Sequence, residues 1–180
     1  MRNEDIAYLS ATELVEAYRA RSLSPVEVTR VILERIEALQ PLLNCFCLLD
    51  PESALRSARA SEARWRDGEP LGPADGVPAT VKDLILARGW PTLRGSLTVD
   101  PAGPWDVDAP STARLRESGA VLLGKTTTPE FGWRGSTDSP LTGITRNPWR
   151  TDVTPGGSSG GAVAALAAGL GALALGTDGG

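Results

Sequence analysis

The sequence has 180 residues, 41% of them hydrophobic and 22% charged, and a formal net charge of −4 with a pI near 4.9. These values fit an ordinary soluble domain with a real core, and its 18 Lys and Arg are scattered, which argues against nucleic acid as a partner. Histidine is absent, which excludes Ser-His-Asp and Cys-His catalysis and histidine metal sites within these residues, so any nucleophilic chemistry here needs another base.

In chain order, MRNEDIAYLS has acids where an export signal has basic residues and then an apolar run, so the sequence predicts a cytoplasmic chain. SATE at 10–13 and SPVE at 24–27 fit the capping box, the second with Pro25 at the first helical position, and two helices are expected to start there. Val28, Val31, Ile32, Ile36 and Leu39 give the second helix one apolar face, while Arg30, Glu34, Arg35 and Glu37 lie mostly elsewhere. Residues 44–49 read as a short strand. Cys45 and Cys47 stand two apart, a spacing that suits neither a disulfide framework nor a CxxC site, so both are expected in the core. Asp50-Pro51 opens a third helix that reaches about residue 66, and 68–76 is a loop.

VPATVKDL at 77–84 reads as a strand with Lys82 near its end. A lysine there is either an edge charge whose stem snorkels to water, or a desolvated amine that can lose its proton. Residues 89–106, rich in Gly, Pro and Trp, form a loop; 108–118 suit a helix closed by Gly119, and 120–124 a strand. The alternation of helix and strand points to an α/β layer fold with parallel strands. Lys125 is expected to form a surface ion pair with Glu130, and Phe131, Trp133 and Trp149 to pack loops against the sheet. No internal repeat or low-complexity tract is present.

No charge occurs from Val153 through Thr177. PGGSSGGAVAALAAGLGALALGTDGG at 155–180 divides into a glycine-serine loop, a small-residue helix, the strand 172–175 and a second glycine loop. A helix without a polar face is expected to be buried all round, and a continuously apolar strand to be covered on both faces. At 162–175 the apolar run is broken by Gly169 and Gly171 and is shorter than the roughly twenty residues of a membrane span. Glycines around Ser158 and Ser159 let backbone approach a bound group, and the helix start aims N–H groups at it. A linker, or small residues serving helix packing alone, is the plainer alternative.

This segment resembles the signature of the amidase signature family, serine hydrolases that cleave carboxamides with a Ser-Ser-Lys triad. GVPATVKDL, GAVLLGKTTTPEFGW and TGITRNPWRTDVTPGGSSGG are similar to family segments in family order, so the likeness covers the chain from about residue 10 onward. It implies a mixed α/β fold with a largely parallel central sheet covered by helices, present only in part. The expected organisation is the N-terminal portion of a single domain, helical over about 1–70 and α/β over about 71–180.

In the mechanism that the resemblance implies, neutral Lys82 is the base and Ser158 the relay, with a cis peptide at the relay serine. The nucleophile is the last residue of G-T-D-x-G-G-S, a serine expected just beyond Gly180, so this chain by itself is expected to be inactive. Backbone N–H groups of Gly179 and Gly180 form the oxyanion hole, supported by Gly156, Gly157, Ser159, Gly160 and Asp178. The resemblance implies a small amide substrate, no cofactor or metal and no membrane, and leaves open a homodimer at full length. An A-type amidotransferase component for glutaminyl- or aspartyl-tRNA stays open beside a general amidase. A rival of another class, a phosphate or nucleotide module built on GGSSGG, lacks the Lys-Ser/Thr pair of a P-loop, since Ala162 and Val163 follow Gly161, and lacks G-x-G-x-x-G.

Overall fold

A computed structural model describes residues 2–179. The predicted N-caps are in place, the first as a reciprocal capping box and the second as the serine half alone. Helix α1 (Asn3–Ala7) is followed by α2 (Ala11–Arg19), where Ser10 and Glu13 close a reciprocal capping box, and by α3 (Pro25–Leu43), where Ser24 accepts the Glu27 N–H. Val28, Ile32 and Ile36 are buried along one side of α3, as the spacing predicts, and Asn44 ends the helix in the left-handed region. Strand β1 (Phe46–Leu49) leads to α4 (Pro51–Asp67), whose N-cap Asp50 accepts the Ser53 N–H.

The α/β portion follows. Strand β2 (Pro78–Lys82) is buried at every position, α5 (Pro110–Glu117) starts at a proline two residues later than predicted, and β3 (Val121–Thr126) runs two residues further than predicted. A 3₁₀ turn (Glu130–Gly132) and the small hairpin β4 (Asp138–Ser139) and β5 (Gly143–Ile144) precede α6 (Gly160–Ala167) and β6 (Leu173–Leu175). The described residues form a four-stranded sheet in the order β1-β3-β2-β6, parallel except for β1, with α6 packed on β2, β3 and β6. This is the expected mixed, largely parallel α/β architecture. Lys82, Thr126 and Leu175 all lie at carboxyl ends of the parallel strands, the end where open α/β sheets bind ligands. Among the described residues no helix is long and apolar enough to cross a membrane.

Several local expectations are corrected. Cys45 is buried, but Cys47, at an irregularity of the β1–β3 register between Phe46 and Leu48, is exposed, with its Sγ on the Lys125 carbonyl at 3.4 Å. Helix α6 is not buried all round: Ala164 and Ala165 are buried, whereas Val163 and Leu166 are 53% and 40% exposed. The strand β6 is half-buried along its length, and the edge away from β2 has no partner among the described residues, as expected for a chain that holds the fold only in part. Phe131, Trp133 and Trp149 do not pack loops on the sheet; Trp133 and Trp149 are 89% and 83% exposed.

At the amino end of β2, Asp75 joins the helices to the sheet. Its buried carboxylate receives two hydrogen bonds from Arg64, at 2.8 and 2.7 Å, and one from the Leu71 N–H at 2.7 Å. Burial pushes the Asp75 carboxyl up, but the Arg64 and Leu71 hydrogen bonds outweigh it and hold it below the ordinary carboxylate value. Its contribution to stability is therefore fully present above about pH 4 and is lost as pH falls through the depressed value. Asp75→Asn leaves Arg64 without its charge partner and is expected to cost about 3 kcal/mol, read as a lower denaturant midpoint at pH 7; an unchanged midpoint refutes the assignment.

Candidate active site

Lys82, the last residue of β2, is fully buried, flanked by β3 and β6. Its Nζ lies 2.7 Å from Ser158 Oγ, 3.0 Å from Ser159 Oγ and 2.7 Å from Thr177 Oγ1. Lys82 is not an edge charge, since β2 lies between β3 and β6, and burial lowers its pKa from 10.5 to about 8.

The glycine-serine loop is held by close approaches that only glycine permits. A Cβ on Gly157 would stand 2.8 Å from the Ser136 carbonyl oxygen, and one on Gly161 would stand 2.5 Å from Thr127 N and 2.7 Å from Thr127 O. Gly160 N–H donates to Thr137 Oγ1 at 3.1 Å, and that hydroxyl donates to the Gly156 carbonyl at 2.7 Å. The Gly157-Ser158 peptide is cis, as the resemblance implies. At the far end of α6, Arg35 Nε donates to the Ala168 carbonyl at 2.7 Å, placing a cation where the helix dipole favours one.

The two serines have different surroundings. Ser159 Oγ donates to the Thr177 carbonyl and accepts the Thr177 N–H, each at 3.1 Å, which clasps the two loops together. Ser158 instead faces a cleft of about 480 Å³ lined by Gly132, Trp133, Thr177, Asp178 and Gly179. The structure thus brings Lys82, Ser158, Ser159, Asp178 and Gly179 to one place, with Gly156, Gly157 and Gly160 shaping the loop behind them. Gly180 lies outside the described residues. Thr177 is not singled out by sequence reasoning, although it stands inside the Gly-Thr-Asp of the second loop.

Lys125 is a correction. It lies inside β3 and is fully buried, with Nζ 3.0 Å from Asp83 Oδ1; Glu130 instead accepts from Ser96 Oγ at 2.8 Å. The two extra residues of β3 carry Lys125 into the sheet, where a buried charge needs a charged partner. Burial pushes Asp83 up and Lys125 down, while each partner's charge opposes this.

A lysine amine hydrogen-bonded to two loop serines thus stands at the carboxyl ends of a mixed α/β sheet. The Amidase family model matches residues 27–180. The chain is 44% identical to a glutamyl-tRNA(Gln) amidotransferase subunit of Acidothermus cellulolyticus over 97% of its own length and 34% of the relative's. It is 43% identical to the acylamidase of Rhodococcus erythropolis over 99% of its length and 37% of the relative's. The peptide amidase of Stenotrophomonas maltophilia matches with a TM-score of 0.85 at 37% identity, over 92% of this chain and 35% of that one. The chain belongs to the amidase signature family, and it spans about a third of the length of these relatives.

Proposed function

We propose that this chain carries the base and relay of a serine amidase and is the N-terminal part of its single catalytic domain. Neutral Lys82 takes a proton from Ser158, and Ser158 takes one from a nucleophilic serine that follows a further glycine after Gly180. The serine oxygen bonds to the amide carbon while the N–H groups of Gly179 and Gly180 receive the oxyanion. The C–N bond breaks as the proton returns from Lys82 through Ser158 to the leaving amine. Water then hydrolyses the acyl-enzyme, releasing the acid and restoring the serine. The observation that carries this reading is Lys82 Nζ on three hydroxyls in a buried setting. A charged ammonium donates to all three, whereas a neutral amine donates to two and accepts from the third. The Ser159 proton is already directed at the Thr177 carbonyl, which leaves the Ser158 and Thr177 hydroxyls able to give a proton to Nζ, and Ser158 faces the cleft beside Gly157. Substrates are small carboxamides, and the site is cytoplasmic and needs no cofactor.

The test is hydrolysis of a panel of small primary amides and anilides by the full-length protein, with hydroxylamine added to trap an acyl-enzyme as the hydroxamate. Because the charged form of Lys82 is inactive and its pKa is about 8, kcat/KM is expected to rise with pH through a limb near 8. About one-tenth of the lysine is neutral at pH 7 and about nine-tenths at pH 9. Turnover that is flat from pH 6 to 9, or an absence of both hydrolysis and hydroxamate across the panel, refutes the reading. A second reading, an A-type amidotransferase component, is favoured by the 44% identical amidotransferase relative. Amide hydrolysis by the protein without partner chains separates the two.

A further inference from the structure

Among the described residues two lysines are wholly buried at the end of this sheet, and the proposed chemistry uses one of them. Asp83 directly follows Lys82, the last residue of β2, and the register that pairs Val81 with Lys125 brings Lys125 alongside that strand end. Asp83 and Lys125 meet there at 3.0 Å with side chains 4% and 0% exposed. Lys125 Nζ also donates to Thr92 Oγ1 and, at 3.3 Å, to the Pro91 carbonyl, and the Gly95 N–H donates to Asp83 Oδ2 at 3.4 Å. The ion pair therefore ties β2 and β3 to the loop 91–95.

That loop leads back to the cleft. The Arg94 carbonyl accepts the Phe131 N–H at 2.8 Å, and Gly95 sits so close that a Cβ there would be 2.7 Å from the Thr128 carbonyl. Gly132, one residue on, lines the cleft beside Leu84, with its Cβ position 3.6 Å from Ser158 Oγ. A buried ion pair is a poor stabiliser compared with apolar side chains of the same volume, because desolvation offsets the attraction. Geometry, more than stability, is what such a pair supplies here.

We propose that the Lys125–Asp83 ion pair is a positioning element of the active site, fixing the end of β2 and, through loop 91–95, the 131–133 wall, so that Lys82 Nζ stays on Ser158 and away from water. This rests on the reading of Lys82 as the base. Around Lys82 Nζ are three hydroxyls, with Asp178 on the adjoining loop and Asp83 and Lys125 at the same strand end. Neither member of the pair acts on substrate; both act through the base and the wall.

The experiment compares the full-length enzyme with Asp83→Asn, with the double variant Lys125→Met/Asp83→Asn, and with Asp75→Asn as a control at the other end of β2. The single variant leaves an unpaired buried ammonium and can fail to fold, so the uncharged double variant is the decisive one. It is expected to melt cooperatively, to lose about 10- to 100-fold in kcat with KM changed less than about 3-fold, and to move the acid limb of kcat/KM upward as water reaches Lys82. Asp75→Asn is expected to lower the melting temperature with kcat and the limb in place. A double variant with wild-type kcat and limb, or one whose loss merely tracks melting as in Asp75→Asn, overturns the proposal. Lys82→Ala is run alongside. If it keeps activity, the reading of the base fails and this inference with it; if it is inactive while the double variant is unchanged, this inference alone falls.

Discussion

Lys82→Ala in the full-length enzyme is expected to lower kcat by about 10²–10⁴-fold or more, the usual worth of a positioned acid–base group. The side chain is the meeting point of both glycine loops, so the loss has two possible origins, missing chemistry and slackened geometry. Lys82→Met and Lys82→Arg separate them. Methionine keeps most of the buried stem without an amine, and arginine keeps a donor but stays charged at any accessible pH. If the neutral amine is what matters, all three variants are inactive while Lys82→Met retains near-native cooperative melting. Activity within about tenfold of wild type in Lys82→Arg refutes the base assignment, because a guanidinium cannot take the proton.

The second large effect is expected at the serine pair. Ser158→Ala removes the hydroxyl that faces the cleft and touches Lys82, and a loss in kcat of about 10²–10⁴-fold follows if it is the relay. Ser159→Ala removes the clasp to Thr177, whose N–H and carbonyl lose their partner, and leaves the proton path through Ser158 intact. Its cost belongs to the loop: about 1–3 kcal/mol for the bonds lost, seen in melting more than in kcat at saturation. Measured kcat and melting midpoints for both variants decide the matter. The reverse pattern, with Ser159→Ala inactive and Ser158→Ala near wild type, moves the relay to Ser159.

What can be read from the sequence is local. Ser10, Ser24 and Asp50 announce their helices because a cap depends on neighbours three residues away. The α/β class follows from the alternation of patterns, and the parallel order of β3, β2 and β6 agrees with it. Lys82 is legible only through the family likeness, since an apolar strand ending in lysine has an equally good edge-strand reading. What fails depends on contacts far along the chain. Lys125 reads as a surface residue because its partner Asp83 is 42 residues away and Glu130 is near. The register irregularity at Cys47 is a property of two paired strands, with no trace in either alone. Helix α6 reads as apolar on every side, but its composition does not say which side is covered. Thr177 carries a signal, its place in Gly-Thr-Asp, but no argument from residue type marks a threonine hydroxyl as the third partner of an amine.

The spacing of Lys82 from its partners has a consequence for the birth of the protein. Ser158 lies 76 residues after Lys82 and Thr177 lies 95 after it. A ribosome adding about 5–20 residues per second takes several seconds to cover that interval, and a strand added at the sheet edge docks after those it pairs with. Until β6 and the loops on either side of α6 arrive, Lys82 has neither the cover that lowers its pKa nor the hydroxyls it is bonded to. It remains an ordinary charged lysine at the end of a nascent strand. The buried setting of Lys82, and with it the lowered pKa, therefore appears only when the two loops close over the sheet.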